Sequence, residues 1–257
     1  MCLMVFGFKN HSEYNLIFAS NRDEFYERPS LTARWWSSNM QIIGGKDLKK
    51  GGTWLGVKKT GSFSAVTNYR DPDSYKKSAE SRGSLPVEFL HNSDNPESFF
   101  ESLKKRSDLY NGFNLIAGNK DHLYHYSNIE NRINSLPSGI HGISNAMLNT
   151  PWPKVERAKQ LFRDKLNQNK ISDDDLFSIL SDRKKFDRKF LPKTGLSPEK
   201  EREVSSIFIK TDTYGTRCSS LLYIKKSGDI RFLERTYKPG SLEIENEVEH
   251  NIIFKTG

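Results

Sequence analysis

The apolar segments of this chain are short, and many of them come in pairs joined by polar turns. Three such pairs predict β-hairpins: residues 2–8 with 14–20, 53–57 with 63–69, and 113–118 with 122–127. Four further runs predict strands near the C-terminus: residues 204–210, 217–226, 229–237 and 250–255. Strands joined by short turns pair antiparallel, so this pattern excludes a doubly wound parallel sheet.

Helical signals separate these groups of strands. Four segments are predicted as helices: residues 85–92, 95–106, 151–168 and 172–182. Ser84 is the expected N-cap of the first. In the second, Asn95 and Pro96 are typical of a helix start. The alternation of strand and helix blocks predicts an α+β fold built on antiparallel sheets, in one domain spanning residues 1–257.

Charge and cysteine content limit the classes of function. The net charge of +8 favours an anionic partner, but the densest basic cluster, residues 182–193, also contains two aspartates. We interpret it as a solvated loop, with an anion-binding patch as the alternative. No nucleic-acid-binding motif accompanies it, so we predict no nucleic-acid partner. Residues 1–10 do not resemble a signal peptide, and no apolar run reaches the ~18 residues of a transmembrane helix. With only two cysteines, these features predict a cytoplasmic protein.

A polar run ends the second predicted strand. In the stretch LIFASNRDEFYERP, residues 16–29, four apolar residues give way to a polar run that contains Asn21, Arg22, Asp23 and Glu24. The hairpin brings this end of the second strand beside the start of the first, where Cys2 lies. Side chains alternate between faces of a strand, so we expect one of Arg22 and Asp23 to face a site and the other to brace it.

Cys2 is a candidate nucleophile. Initiator methionine is generally removed before a small residue, and the exposed α-amine of a terminal cysteine could accept the proton of its own thiol. The alternative is that Cys2 is a small buried hydrophobe at the start of a strand.

Eight motifs occur in series along the chain: NRDEFYERP (21–29), GGTWLGV (51–57), TNYR (67–70), SRG (81–83), GFNLIAG (112–118), HGISNA (141–146), PWPKVERAK (151–159) and YGTRCSS (214–220). Together they closely resemble the Transport and Golgi organisation two family, which is named for its Asn-Arg-Asp-Glu signature. That family is similar to the N-terminal-nucleophile hydrolases of the choloylglycine hydrolase and penicillin acylase group. The resemblance implies a four-layer αββα sandwich with two stacked antiparallel sheets.

The same resemblance implies a set of site residues. The expected catalytic residues are Cys2, Arg22, Asp23, Asn68, Asn145 and Arg217. Cys2 would be the nucleophile and Asp23 would position its amine. The two asparagines would stabilise developing charge, and Arg217 would stabilise the thiolate. Asn21, Trp54 and Tyr69 are expected to contribute to substrate binding, Trp54 from the core. In the hydrolase pattern other residues separate the arginine from the aspartate, whereas Arg22 and Asp23 adjoin.

Three hypotheses about function therefore remain open. The first is an amidase that cleaves a linear amide bond in a small, anionic or lipid-like substrate. The second is a binding or trafficking protein for an anionic ligand such as acyl-CoA, an acidic lipid or haem, since a fold alone does not guarantee chemistry. A scaffold protein of secretory organisation is a third reading. We predict no metal site and no cofactor for catalysis, and the sequence leaves the oligomeric state open.

Overall fold

The structure, a computed structural model, describes residues 2–36, 39–92, 95–168 and 171–254. Within these ranges thirteen strands form two antiparallel sheets. The strands of the first sheet are β1 (Cys2–Phe8), β2 (Tyr14–Phe25), β10 (Gly139–Ile143), β11 (Tyr214–Lys225), β12 (Ile230–Tyr237) and β13 (Ile244–Ile252). Those of the second are β3 (Ser30–Trp36), β4 (Asn39–Asp47), β5 (Leu55–Lys58), β6 (Phe63–Asn68), β7 (Phe113–Gly118), β8 (Leu123–Ser127) and β9 (Arg132–Ser135).

The spatial order of the strands differs between the two sheets. The second sheet follows the chain from β3 to β9, because each strand pairs with its successor. The first sheet has the order β10-β1-β2-β11-β12-β13, so it contains strands from both ends of the chain. Its central pair, β2 and β11, is joined only through long-range hydrogen bonds, and a bulge interrupts their register between Thr216 and Cys218.

Alternation of side chains along the first sheet explains why helices cover its outer face. Met4, Phe6 and Phe18 point to one side, where they pack against the second sheet. Their neighbours Val5 and Ile17 point to the other side, against the helices. Because both faces are apolar, the sheet is stable only when it is covered on both sides.

Five helices lie within the described residues: α1 (Ser84–Asn92), α2 (Pro96–Lys104), α3 (Pro153–Leu166), α4 (Asp173–Leu180) and α5 (Pro198–Glu203). α3 and α4 pack on the first sheet, and α1 and α2 pack on the second. The layers are therefore α, β, β and α, the sandwich that the family resemblance implies. None of these helices is long and apolar enough to cross a membrane.

Local sequence signals account for the helix starts. The Asn95 side chain accepts hydrogen bonds from the main-chain N–H groups of Glu97 and Ser98 at the start of α2. Ser172 and Asp175 form a capping box at the start of α4. In α3, Val155, Ala158 and Phe162 form a buried stripe, and truncating a fully buried phenylalanine such as Phe162 to alanine costs about 3–5 kcal/mol.

Most of the predicted elements are present, and they differ from the prediction mainly at their ends. The three hairpins and four helices are confirmed, with ends shifted by a few residues, except that β2 continues to Phe25 and β13 begins at Ile244, six residues early. Ser84, the predicted N-cap, is the first residue of α1. Residue 255, the last of the predicted final strand, lies outside the described residues.

The predicted strand at residues 204–210 is wrong. Its apolar residues are buried, but their main chain bonds to scattered partners: the Phe208 N–H donates to the Asp182 carbonyl and the Ile209 N–H to the Thr216 hydroxyl. Only an isolated bridge, between Lys210 and Gly215, resembles strand pairing. Four strands and one helix were not predicted: β3, β4, β9, β10 and α5. The charged sequence of α5 has no apolar face to indicate a helix.

Candidate active site

The first hairpin brings Cys2 beside the polar end of β2. The main chain of Cys2 pairs with that of Arg22, and Leu3 pairs with Asn21. β2 runs past the start of β1, and its continuation, including Asp23, pairs with β11 on the other side. The expected proximity of Cys2 to the Asn21–Asp23 run is confirmed at the level of the main chain.

Arg22 faces the second sheet, in a buried position. Its guanidinium donates a hydrogen bond to the Ser30 hydroxyl and pairs with Asp47 at 3.3 Å. It also lies over the Trp54 ring, 4.2 Å from the ring centroid. The second sheet and the loop before β5 therefore fix this cation of the first sheet.

Asp47 joins two arginines at the end of β4. Besides Arg22, it accepts hydrogen bonds from Nε and Nη2 of Arg28 and from the Lys50 main-chain N–H. Burial acts to raise the pKa of Asp47, but these hydrogen bonds and the two positive charges outweigh it and hold the pKa below its usual range. Neither residue was predicted: Arg28 lies within the NRDEFYERP motif but was assigned no role, and Asp47 ends β4, where no sequence pattern indicates an ion-pair partner.

Asp23 points to the opposite face of the first sheet, toward the helix layer. It is 1% exposed, and its Oδ1 accepts a hydrogen bond of 2.7 Å from the Thr216 hydroxyl. Burial raises the pKa of Asp23, while the charges of Lys154 and Arg70 and the Thr216 hydrogen bond act to lower it. The structure thus separates Arg22 and Asp23 onto two faces, as strand alternation requires.

Two cations beside Asp23 belong to a buried cluster that no sequence pattern indicates. Lys154, at the start of α3, is 4% exposed and donates through Nζ to the Val204 carbonyl. Arg70 pairs with Glu201 of α5 at 2.9 Å and lies over the Trp152 ring. These residues are far apart in the sequence, and they come together through tertiary contacts, among them those of Lys154 with Val204 and of Arg70 with Glu201.

Asn68 and Asn145 are in contact through main-chain and side-chain groups. Asn145 is 1% exposed, and its Nδ2 donates to the Asn68 carbonyl at 2.9 Å and to the Thr67 hydroxyl at 3.4 Å. Its own carbonyl accepts from the Arg70 N–H. The structure thus brings the two predicted asparagines together, with Asn68 at a cleft and Asn145 behind it.

The three residues predicted to bind substrate occupy different environments. Trp54 is 8% exposed and lines the cleft beneath Arg22. Asn21 is not at the cleft: its Nδ2 donates to the carbonyls of Leu180 and Ile207, and its Oδ1 accepts from Ser219. Tyr69 packs against Gly112 and does not line the cleft. Asn21 therefore helps to hold the end of α4 against the first sheet. Its side chain faces away from that of Arg22 because neighbouring residues of a strand point to opposite faces.

Arg217 lies on the other side of Trp54 from the cleft. Its Nη1 donates to the main-chain carbonyls of Phe25, Tyr26 and Arg28, at 2.9–3.0 Å. This arrangement fixes the turn after β2. Arg217 lines a second cleft, with Cys218 and Glu234, and not the one that contains Arg22.

The candidate active-site cleft opens at the end of the sandwich where β2, β4 and β6 terminate, and its volume is about 250 Å³. Five basic and four acidic residues line it: Arg22, Arg28, Lys50, Lys77, Arg82, Asp23, Glu24, Asp47 and Glu80. The carboxylate of Asp23 itself faces the helix layer. Thr53, Trp54, Thr67 and Asn68 supply neutral groups. Such a lining suits a polar or charged ligand that carries a hydrogen-bonding group.

Metal ligands are not grouped in the described part of the chain, where no three His, Cys, Asp or Glu side chains could share an ion. The buried histidines lie apart from the cleft. His125 bonds to Asn114, and His141 stacks on Phe6 and bonds to the Pro137 carbonyl. Burial, together with the charge of His141, lowers the pKa of His125 to about 4, so this imidazole is neutral at pH 7.

Comparison with known proteins gives one family and one fold. The sequence model of the Transport and Golgi organisation 2 family matches residues 1–239. The chain is 34% identical over 257 residues to the Transport and Golgi organization 2 homolog of Mus musculus, covering 92% of this chain and 93% of the mouse protein. It is 27% identical to Transport and Golgi organization protein 2 of Drosophila melanogaster, with 92% of each chain covered.

Among solved structures, two variants of the conjugated bile acid hydrolase of Clostridium perfringens are similar. One has a TM-score of 0.55 at 11% identity and covers 99% of this chain and 97% of its own. The other has a TM-score of 0.53 at 13% identity and covers 97% and 92%. At these identities the similarity concerns the fold alone, which is that of the N-terminal-nucleophile hydrolases.

Proposed function

Because the chain belongs to the Transport and Golgi organisation 2 family and has the fold of the N-terminal-nucleophile hydrolases, we propose that it is an amidohydrolase with Cys2 as nucleophile. The observation that carries the proposal is the register of the first hairpin, which sets Cys2 opposite Arg22 at the edge of the cleft. The solved hydrolase supports it, since one of its variants carries alanine in place of a cysteine at its second position. The proposal requires that the peptide bond before Cys2 is cleaved.

In the proposed reaction the α-amine of Cys2 takes the thiol proton, and the sulfur attacks the amide carbonyl carbon. The tetrahedral intermediate then collapses: the C–N bond breaks, the leaving amine takes the proton from the ammonium, and a thioester remains. Water hydrolyses the thioester, releasing the acid and restoring the thiol. No external oxidant or reductant is needed.

Each polar residue at the end of the sheets has a proposed part in this reaction. Arg22 stabilises the thiolate, because its main chain adjoins Cys2 and its guanidinium is held in place by Asp47 and Trp54. Asp23 orients the ammonium formed on the α-amine. Asn68 donates to the oxyanion, and Asn145 holds the main chain of Asn68 in position. Arg217 contributes indirectly, by holding in place the turn that follows β2.

The substrate we propose is a small linear amide with an anionic or lipid-like part. Cationic side chains at the cleft, among them Lys50 and Lys77, favour a negative group on the substrate. The fold relative acts on conjugated bile acids according to its name, which fits an amphipathic amide. The proposal places the enzyme in the cytoplasm, where a thiol remains reduced.

A binding protein for an anionic ligand is the second candidate, favoured by the same cationic lining. In that case the cleft would hold acyl-CoA, an acidic lipid or haem, and Cys2 would take no part in chemistry.

The experiment that tests the first proposal uses the two cysteines of the chain as each other's control. We would measure the intact mass of the purified protein before and after brief exposure to iodoacetamide at neutral pH, for wild type, Cys2→Ala and Cys218→Ala. Cys218 is 4% exposed and should react slowly. The expected result is a chain that begins at Cys2, with one rapid adduct in wild type and Cys218→Ala and none in Cys2→Ala.

Two outcomes would refute the mechanism. A chain that keeps a residue before Cys2 has no free α-amine to act as base. A Cys2 that reacts no faster than Cys218 is not an activated nucleophile. With both expected results in hand, hydrolysis of N-acyl amino acids by wild type and its absence in Cys2→Ala would establish the activity, and binding of acyl-CoA without turnover would favour the second candidate.

A further inference from the structure

Residues 183–193, which follow α4, form a basic segment on the surface. They include six lysine or arginine residues and one aspartate, Asp187. The segment is fixed to the body of the protein: the Phe208 N–H donates to the Asp182 carbonyl at 2.7 Å, and the Phe186 N–H donates to the Ser205 hydroxyl at 3.2 Å. Its cationic side chains are nevertheless exposed. The segment thus presents positive charge from a defined main chain.

Three cations surround a surface cavity beside this segment. Arg183, Lys185 and Lys210 line it, together with the buried Ser206 and Phe208, and its volume is about 390 Å³. Among the residues that the structure describes, no carboxylate contributes to the lining. Within the described ranges none of the three cations is in an ion pair, whereas Arg188 nearby is paired with Glu199. An anionic group would therefore find three uncompensated charges here.

An aromatic side chain projects from the same segment. Phe190 is 60% exposed, and the Lys189 ammonium lies 4.9 Å from the centroid of its ring. An exposed phenylalanine flanked by cations is the arrangement in which the ring can enter the acyl boundary of a bilayer while the charges remain at the headgroups. Binding at a membrane interface increases with the apolar area that is buried and with the attraction of cations to anionic lipids, and this segment offers both an apolar ring and cations.

We propose that this basic surface, formed by residues 183–190 and Lys210, docks on an anionic lipid bilayer, with headgroup phosphates in the three-cation cavity and Phe190 in the interface. Leu191 and Pro192 follow directly, and both line the small pocket that also contains Arg70 and Lys154. The lipid surface would therefore lie close to the buried cluster beside Asp23. The docking itself does not depend on the amidohydrolase function.

The test is co-sedimentation of the full chain with vesicles of phosphatidylcholine alone and of phosphatidylcholine mixed with phosphatidylserine. One variant removes the cavity charges (Arg183→Gln, Lys185→Gln, Lys210→Gln). A control variant removes three charges from the opposite side of the sandwich (Lys105→Gln, Lys120→Gln, Arg132→Gln). Each charge near an anionic surface is worth about fivefold in binding, so the first variant should bind the mixed vesicles roughly a hundredfold more weakly.

The expected pattern is strong binding to mixed vesicles only, a large loss in the cavity variant, a small loss in the control and an intermediate loss in Phe190→Ala. Equal losses in both triple variants would overturn the proposal, because attraction would then follow net charge. Inorganic phosphate could also displace the protein from the vesicles more strongly than chloride does at equal ionic strength, while Phe190→Ala binds as wild type does. That result would overturn the proposal in favour of a free phosphate ligand. Tighter binding to single-stranded RNA than to mixed vesicles would assign the surface to nucleic acid. Thermal unfolding of each variant confirms that it is folded.

Discussion

The buried ion pair between Arg70 and Glu201 offers the sharpest test of how the candidate site is held together. The two side chains are 7% and 5% exposed and lie 2.9 Å apart. Glu201→Gln keeps the shape of the residue and an oxygen that can accept from Thr194, but leaves the Arg70 charge buried without its counter-charge. Removing one partner of a buried pair costs about 3–5 kcal/mol. At roughly 2–4 °C per kcal/mol for a chain of this size, the midpoint of thermal unfolding should fall by roughly 6–20 °C.

Equilibrium unfolding in urea, followed by tryptophan fluorescence, measures this change. A double-mutant cycle with Arg70→Met separates the pairwise interaction from the other contacts of each side chain. The double variant should be less destabilised than the sum of the single variants by about 2 kcal/mol, because neither charge is then left alone. Glu199→Gln, in the same helix, is the matched control: its pair with Arg188 is exposed, and its unfolding midpoint should equal that of wild type.

Two results would refute this reasoning. If Glu201→Gln unfolds at the same urea concentration as Glu199→Gln, the buried pair does not hold α5 in place. If the losses in the free energy of unfolding of the two single variants sum to that of the double variant, Arg70 and Glu201 do not interact energetically. The docking of residues 191–204 then depends on other contacts.

Three further predictions concern buried polar groups and a close main-chain contact. Asn145→Asp should lower the free energy of unfolding by about 3 kcal/mol at neutral pH and by less in acid, where the carboxyl is neutral, and urea unfolding at both pH values checks this. The pKa of His125 is about 4 in the folded protein and ~6.5 in the unfolded chain. Burying the neutral imidazole therefore contributes up to about 3 kcal/mol to the free energy of unfolding. This contribution is complete at a pH above the pKa of the unfolded chain, and it is lost as the pH falls through about 4. His125→Gln should therefore flatten the acid limb of the stability profile, while the exposed His122→Gln should not. Gly52→Ala would set a Cβ 2.3 Å from the Gly83 carbonyl oxygen, so it should lower the urea midpoint and shift the wall of the cleft, and an unchanged midpoint would contradict this.

Local sequence patterns correctly predicted the elements whose hydrogen bonds join residues close together in the chain, such as hairpins and helix starts. The first hairpin follows from two apolar runs with a polar turn, and its register places Cys2 opposite Arg22. Asn95 and Pro96 begin α2 as capping chemistry requires. By contrast, residues 204–210 have the composition of a strand, yet their main chain is satisfied by partners brought from elsewhere.

The sequence by itself determined the antiparallel αββα architecture, the family, and the meeting of Cys2 with the polar end of β2. The antiparallel strands and the meeting at Cys2 follow from periodicity and from contacts between strands adjacent in the chain, whereas the αββα layering and the family follow from the resemblance that the eight motifs carry. Only the tertiary structure decided that Asp47 fixes Arg22, that Lys154 and Arg70 neighbour Asp23, and that Asn21 turns away from the cleft. Such pairings join residues 25 to about 160 positions apart. No local pattern encodes them, because a buried charge is paired with whichever group the packing of the sheets and helices brings within reach.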